Sequence, residues 1–464
     1  MPNILVQRTS GKTVSIVSLV ALLIFLPLLL LAVYQTATLI SRAVGIQANI
    51  EIDTKATLEP ITTDWFHAFT QGGEEQTDML APVTSQIRAL SPRRIRIDHI
   101  YDYYNIVGGS PGNLTFDFSR LDKVLDTIAA VGAKPVIALS YMPGVIAKDG
   151  DIINPPNDWN QWAYVVQKTI EHVSGSRGTS DVYYEVWNEP DIAQFGKWNL
   201  SGDKNYLTLY HYASIGANKA SGVSRFYLGG PVTTGLYKNW ILSLIGSGNR
   251  VNFLSWHTYQ YNQHVFDDDQ RNIISWLLPY PNFTLIPKLI TEFGFTGDKS
   301  SLYGSTFAAA QTAAVIRQLI TEKPAYLFSF ELKDGPKDNG SGWGLITHED
   351  NGGKPKPRYF VYNFLDAMAG TRLALRGEGT WVTGFASTRN NAIRVMLVNY
   401  DAGGAHAENT PVTFNNLDPG NYTYREHFLF GHDLSLTQVV TGNSFTRQIY
   451  LPAQSVVILE LSKQ

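Results

Sequence analysis

The segment Tyr183-Tyr184-Glu185-Val186-Trp187-Asn188-Glu189-Pro190-Asp191 runs from strand-forming residues into a polar cluster closed by a proline. A second segment, Leu289-Ile290-Thr291-Glu292-Phe293-Gly294, likewise carries an apolar run into a glutamate. Each would deliver a carboxylate to the C-terminal tip of a buried strand, the end at which a parallel barrel keeps its reacting groups. Two carboxylates that face each other are the minimum equipment for cleaving a glycosidic bond. One protonates the leaving oxygen, and the other attacks the anomeric carbon or activates water. Their environments must then differ enough that one is an acid and the other an anion at the same pH. A lone glutamate at a strand end is an ordinary polar loop residue; it is the pair, each member closing an apolar strand, that carries the reading.

The elements around the pair fit such a barrel. Strand-like runs occupy residues 65–69, 95–98, 135–140, 182–187, 226–229, 253–257, 288–292 and 326–330. Several are continuously apolar, as strands covered on both faces are. Helical spacing of apolar residues fills the intervals, for example Leu121, Val124, Leu125, Ile128 and Val131 before Gly132. Eight strand–helix units predict a (β/α)8 barrel over residues 60–370, with Glu189 after the fourth strand and Glu292 closing the seventh. A doubly wound open sheet is the alternative, but no glycine-rich phosphate loop follows the first strand. Beyond residue 370 the pattern changes to short alternating strands at 381–385, 392–399, 410–414, 422–430, 444–449 and 455–461, separated by turn signals such as Asp418-Pro419-Gly420-Asn421. Residues 371–464 therefore read as a β-sandwich, and the alternating stretch 50–56, within a linker spanning 34–59, is expected to join it.

Composition narrows the function classes. With 44% hydrophobic and 17% charged residues the chain is that of a folded protein. A net charge of -3 supplies no field for nucleic acid, so none is expected as a partner. The absence of cysteine excludes disulfides, thiolate metal sites, a cysteine nucleophile and an acylated cysteine anchor. Residues 14–33 form an uncharged apolar run long enough to cross a bilayer, preceded by Arg8 and Lys12. The expectation is a cytoplasmic tail at 1–13, an uncleaved signal anchor at 14–33, and everything after residue 34 outside the cytoplasm. Cleavage of the segment would make the protein secreted. No metal site is expected: His211 and His257 lack partners at ligand spacing, and Asp267-Asp268-Asp269 reads as a solvated loop. A double displacement needs no cofactor.

The chain resembles the retaining glycosidases of the (β/α)8 clan that carry their acid/base on strand four and their nucleophile on strand seven. Within that clan it most resembles glycoside hydrolase family 39, known for β-xylosidases, α-iduronidases and bacterial exopolysaccharide glycosidases. The matching segments are 184–191 with its Asn-Glu-Pro-Asp, Leu228-Gly229-Gly230-Pro231, Phe253-Leu254-Ser255-Trp256-His257-Thr258-Tyr259, Thr291-Glu292-Phe293-Gly294 and Ala138-Leu139-Ser140-Tyr141-Met142-Pro143. The resemblance runs from about Trp65 to the end. It implies Glu189 as general acid/base, Glu292 as nucleophile, and Asn188 bonded to the hydroxyl beside the reacting carbon. It implies further that Tyr259 and Arg96 hold the charge of Glu292, with an Arg96–Asp98 salt bridge as the structural alternative for the arginine. His257 and His99, at strand tips, would bind sugar hydroxyls; Tyr141 and Trp343 are candidate stacking walls, as are Trp187 and Trp256, for which packing is the expected role. Where many relatives have a tryptophan on strand eight, this chain reads Tyr326-Leu327-Phe328-Ser329-Phe330-Glu331-Leu332. Phe330 or Trp343 must substitute, and Glu331 adds a third carboxylate near the rim. The expected activity is retaining hydrolysis of an extracytoplasmic glycan or exopolysaccharide. The rivals are a non-catalytic glycan-binding protein on a glycosidase-like barrel, and a transglycosylase.

Overall fold

The computed structural model describes residues 45–73, 75–338 and 340–464. The expected tail at 1–13 and signal anchor at 14–33 lie outside the described residues. Among the described residues no helix is long and apolar enough to cross a membrane.

The barrel is closed by eight parallel strands: β2 (Ala68–Gln71), β3 (Arg94–Ile97), β6 (Lys134–Leu139), β7 (Val182–Val186), β8 (Phe226–Thr233), β9 (Phe253–Tyr259), β10 (Lys288–Gly294) and β11 (Tyr326–Phe330). All eight strand-like runs of the sequence are present. The two missing numbers are a hairpin, β4 (Val107–Ser110) with β5 (Asn113–Phe116), inserted after β3. Ala68, Val136, Tyr183, Phe253, Leu289 and Phe328 pack together as an apolar plug inside the barrel. Above the plug the interior turns polar, with Thr70, Arg96, Glu185 and His257 fully buried. This reversal of the usual core chemistry marks the end at which the barrel does its work.

Outer helices such as Ser119–Ala130 bury one apolar stripe, here Leu121, Val124, Leu125 and Ile128, whereas Thr306–Leu319 is buried almost all round. The helix Trp159–Ile170 starts at Asp158, whose side chain accepts a hydrogen bond from Asn160 N and so satisfies an open helix terminus. It packs against the helix Tyr206–Lys219 at unusually short range. A Cβ on Gly216 would come 2.1 Å from the carbonyl oxygen of Ala163, so only glycine permits the approach.

The C-terminal residues build a nine-stranded sheet in the order β17 (Asp433–Val440), β16 (Gly420–Phe428), β19 (Ser455–Lys463), β14 (Ala392–Asn399), β13 (Val382–Arg389), β12 (Gly370–Arg376), β1 (Ile50–Ile61), β15 (Glu408–Asn415) and β18 (Ser444–Leu451). Its first member in the chain, β1 (Ile50–Ile61), precedes the barrel and pairs antiparallel with β12 (Gly370–Arg376) and parallel with β15 (Glu408–Asn415). The expected sandwich of two sheets is thus one continuous hydrogen-bonded sheet that folds over on itself. Tyr424 of β16 (Gly420–Phe428) packs edge-on at 5.5 Å against Phe445 of β18 (Ser444–Leu451), which lies at the far end of the strand order. Two strands, β12 and β17 (Asp433–Val440), are additional to those expected. The outermost, β17, has no neighbour on one side among the described residues and is half exposed along its length, so it carries little apolar signal. The sheet shares its core with the barrel: Phe307, on the outer helix Thr306–Leu319, meets Tyr400 at 5.5 Å.

Candidate active site

Strand β7 stops at Val186, and the chain then turns sharply. Trp187 and Glu189 take positive φ angles of 79° and 42°, which non-glycine residues adopt only when the surroundings enforce it. The enforcement is visible: Trp187 Nε1 donates to the Phe195 carbonyl at 2.8 Å, Glu189 N donates to the Val232 carbonyl at 3.0 Å, and Thr234 N donates to Asp191 Oδ1 at 3.0 Å. These bonds aim Glu189 across the barrel mouth.

Glu292 is placed by another device. Leu289 faces the interior, and strict alternation would turn Glu292 outward. Strand β10 slips register against β9 between Ile290 and Glu292, a local bulge that brings the carboxylate inside. There it is met by Arg96 from β3. This fully buried guanidinium donates through Nε to Glu185 Oε2 at 2.5 Å, through Nη1 to Glu292 Oε1 at 2.9 Å and through Nη2 to Asn188 Oδ1 at 2.7 Å. Tyr259 donates its phenol to Glu292 Oε2 at 2.7 Å. His257 Nδ1 stands 2.8 Å from Glu189 Oε1 and 3.4 Å from Glu292 Oε2. The two glutamates are close: an oxygen of Glu189 lies within 4.8 Å of one of Glu292.

Burial pushes the Glu292 carboxyl up to about 7, against the pull of His257, Arg96 and the Tyr259 hydroxyl, while the nearby Glu189 pushes the same way as burial. Burial works against a charged His257, but the Glu292 and Glu189 carboxylates outweigh it and raise the imidazole pKa. Burial also raises the Tyr259 phenol well above its usual value, so the hydroxyl stays a donor. Glu292 therefore accepts from two obligate donors, Arg96 and Tyr259. Among the described residues the hydrogen bond made by the Glu189 carboxylate is the one to His257.

The pair opens into a cavity of about 610 Å³ at the barrel mouth. Asn188, Glu189, Glu292, Tyr259, His99 and Trp343 all line it. Trp343 stands edge-on to Phe330 at 5.5 Å, so both candidate substitutes on and after strand eight form the wall. Arg96 ties to Glu185 and Glu292, and among the described residues it makes no hydrogen bond to Asp98, its structural alternative. Several expectations are corrected. His257 is fully buried between the two glutamates, which leaves it no face for a sugar hydroxyl. Tyr141 is 1% exposed, stacked on Phe195 at 5.4 Å and bonded to Asn188 Nδ2 through its hydroxyl, so it supports Asn188 instead of forming a wall. Glu331 is also buried, accepting from Gln71 Nε2 and Gly72 N beneath the rim. Asp267-Asp268-Asp269 lies on the helix His264–Leu277, where Asp269 accepts from Trp256 Nε1 and Thr258 Oγ1.

His257 does have potential metal-ligand partners in space, namely Glu189 and Glu292. Two further acidic groups lie beside strand eight. The ammonium of Lys333 bonds Glu75 and Glu349, and that of Lys356 bonds Asp334, so each group is already served by a cation. The sequence reading missed Glu185. It stands on the same strand face as Tyr183, which fills the barrel plug, and that parity was available.

A model of the family described as glycosyl hydrolases family 39 matches residues 48–274. A β-xylosidase of Caldicellulosiruptor saccharolyticus is 30% identical over 323 residues, covering 62% of this chain and 64% of that protein. A β-xylosidase of Geobacillus stearothermophilus is 24% identical over 304 residues, covering 57% and 58%. The match thus spans less than two thirds of either relative. A monomeric β-xylosidase of Caulobacter crescentus shares the fold with a TM-score of 0.71 at 19% identity, over 90% of this chain and 99% of that one.

Proposed function

The chain belongs to glycosyl hydrolases family 39, and we propose that it is a retaining glycosidase working by double displacement. Glu292 attacks the anomeric carbon while Glu189 protonates the leaving oxygen; Glu189 then deprotonates the water that releases the sugar. The observation that carries this reading is the approach of the two carboxylates to within 4.8 Å. Inverting enzymes keep their carboxyl groups about 6.5–9.5 Å apart to admit a water, whereas retaining ones need only about 5–5.5 Å. The unequal donor sets favour the same assignment of roles. Arg96 and Tyr259 donate to Glu292 and so support the anion that attacks, while Glu189 makes its contact to His257 and faces the mouth.

The substrate proposed is a carbohydrate, and the two β-xylosidase relatives support an aryl β-xyloside as the first to try. The site is proposed to face a glycan outside the cytoplasm, held by the apolar run at 14–33. The support for that topology is the run itself and the Arg8 and Lys12 that precede it. The deciding experiment is Glu292→Ala with and without azide: turnover disappears, and azide restores a part of it as a glycosyl azide of inverted configuration. Turnover that survives Glu292→Ala unchanged refutes the assignment. Membrane fractionation of the full chain tests the anchor, which requires the activity to pellet with the membrane and to resist a high-salt wash.

A further inference from the structure

Asp98 follows β3 by one residue, two beyond Arg96, and lines the cavity beside His99, Asn188 and Glu189. It is 6% exposed. Its Oδ1 is completely buried and has no hydrogen-bond partner among the described residues. The cations that face it, Arg96 and His99, feel its charge but direct their hydrogen bonds elsewhere. Arg96 spends its donors on Glu185, Glu292 and Asn188, and His99 Nδ1 is turned to Asp102 at 2.7 Å. A buried carboxylate without donors is costly to keep. Asp98 keeps its place at the one open side, the cavity, from which donors can arrive.

The rest of the wall says what kind of donor. Asp98, Glu189, Glu292 and Asp298 line the cavity, and among the described residues no lysine or arginine does. Lys299 sits over the Trp343 ring at 4.8 Å and is ion-paired with Asp338. A sugar carboxylate placed here would meet like charges with no free cation to offset them, whereas hydroxyl groups supply the missing donors. We infer that Asp98 accepts hydrogen bonds from hydroxyls of the reacting sugar and thereby selects a neutral glycoside over a uronic acid. The inference rests on the glycosidase reading of the same cavity and adds to it a specificity residue and a substrate class.

The test compares the full-length protein with Asp98→Ala and Asp98→Asn on matched aryl glycosides: a neutral sugar, its monodeoxy analogues and the corresponding uronide. Asp98→Ala lowers kcat/KM on the parent neutral glycoside about 10- to 100-fold, the range for a hydrogen bond to a charged group. On the monodeoxy analogue that lacks the partner hydroxyl the same substitution costs almost nothing, because the bond is already absent. Asp98→Asn raises the ratio of uronide to neutral turnover. Both variants keep a thermal midpoint close to that of the wild type, since Oδ1 has no hydrogen bond to lose. Equal losses across every deoxy analogue, an unchanged uronide ratio, or a lowered midpoint would each overturn the inference in favour of a structural role. A wild-type protein that cleaves none of these glycosides refutes the proposed function instead. Calorimetric titration of the wild type and Asp98→Ala with the free neutral sugar and its uronic acid then decides on Asp98: wild-type preference for the neutral sugar, lost in the variant, supports it, and equal binding by both proteins overturns it.

Discussion

Glu185→Gln tests the charge arrangement around Arg96 without touching the substrate. Glu185 is fully buried beneath the cavity and its Oε2 takes the Arg96 Nε bond at 2.5 Å, while Glu292 takes the Nη1 bond at 2.9 Å. The two carboxylates flank one guanidinium, which puts them about 7 Å apart; at an effective dielectric of about 20 their repulsion is about 2 kcal/mol. Glutamine retains the shape and an acceptor for Nε but removes that repulsion, and it leaves the Arg96 charge to Glu292. The anion of Glu292 becomes easier to form, so its carboxyl moves down from about 7. A repulsion of that size is worth between one and two pH units, and a fall of about one unit is expected after relaxation. The nucleophile must be ionised to attack, so the acidic limb of the kcat/KM profile shifts to lower pH by that amount. The assay is the pH dependence of kcat/KM on an aryl glycoside, with circular dichroism to establish that the variant folds. A folded variant whose acidic limb stays in place, or moves to higher pH, refutes the claim that Arg96 divides its charge between the two carboxylates.

Tyr259→Phe acts in the opposite direction. It removes a donor from Glu292, so kcat/KM falls about 10- to 100-fold and the acidic limb moves to higher pH; a limb that does not move argues that the phenol contributes only packing. Gly216→Ala drives a Cβ into the Ala163 carbonyl, and the helices Trp159–Ile170 and Tyr206–Lys219 must separate. The expected cost is about 1–3 kcal/mol, read as a lowered midpoint in chemical denaturation with the slope unchanged; an unaltered midpoint would mean the interface yields freely.

What was legible in the sequence follows a physical division. The barrel strands could be found because both their faces are covered, so each is a short apolar run between polar turns. Strand β8 outran its expected end at 229 because Gly229-Gly230-Pro231 reads as a stop. In the fold Gly229 is there for proximity, since a Cβ on it would lie 2.5 Å from the Phe253 carbonyl. Parity along a strand says which face a side chain takes but not how deep it sits. That is why His257 and Tyr141 were expected at the sugar and are found beneath it, serving Glu189 and Asn188. The inward turn of Glu292 depends on a bulge, which period-two reading cannot register. Glu292 was found from its place at the tip of an apolar strand, where parity along the strand would have turned it outward.

The depth at which Arg96 sits also sets how charge is shared in the site. Three carboxylates, Glu185, Glu189 and Glu292, gather around one arginine and one histidine, and Glu185 and Glu292 share the arginine. If all three were ionised the pocket would carry an uncompensated negative charge in a poorly solvated place, so retaining one proton is favoured. Glu185 is held by the short Arg96 bond, and Glu292 by Arg96 and Tyr259. Glu189 has only the His257 contact and stands nearest the mouth, with 13% of its side chain exposed. Glu189 is thus the carboxylate with the fewest donors, and it is the one placed to face a leaving group. Glu185 therefore acts on the site without lining the cavity: by occupying part of Arg96, it leaves less positive charge for Glu292.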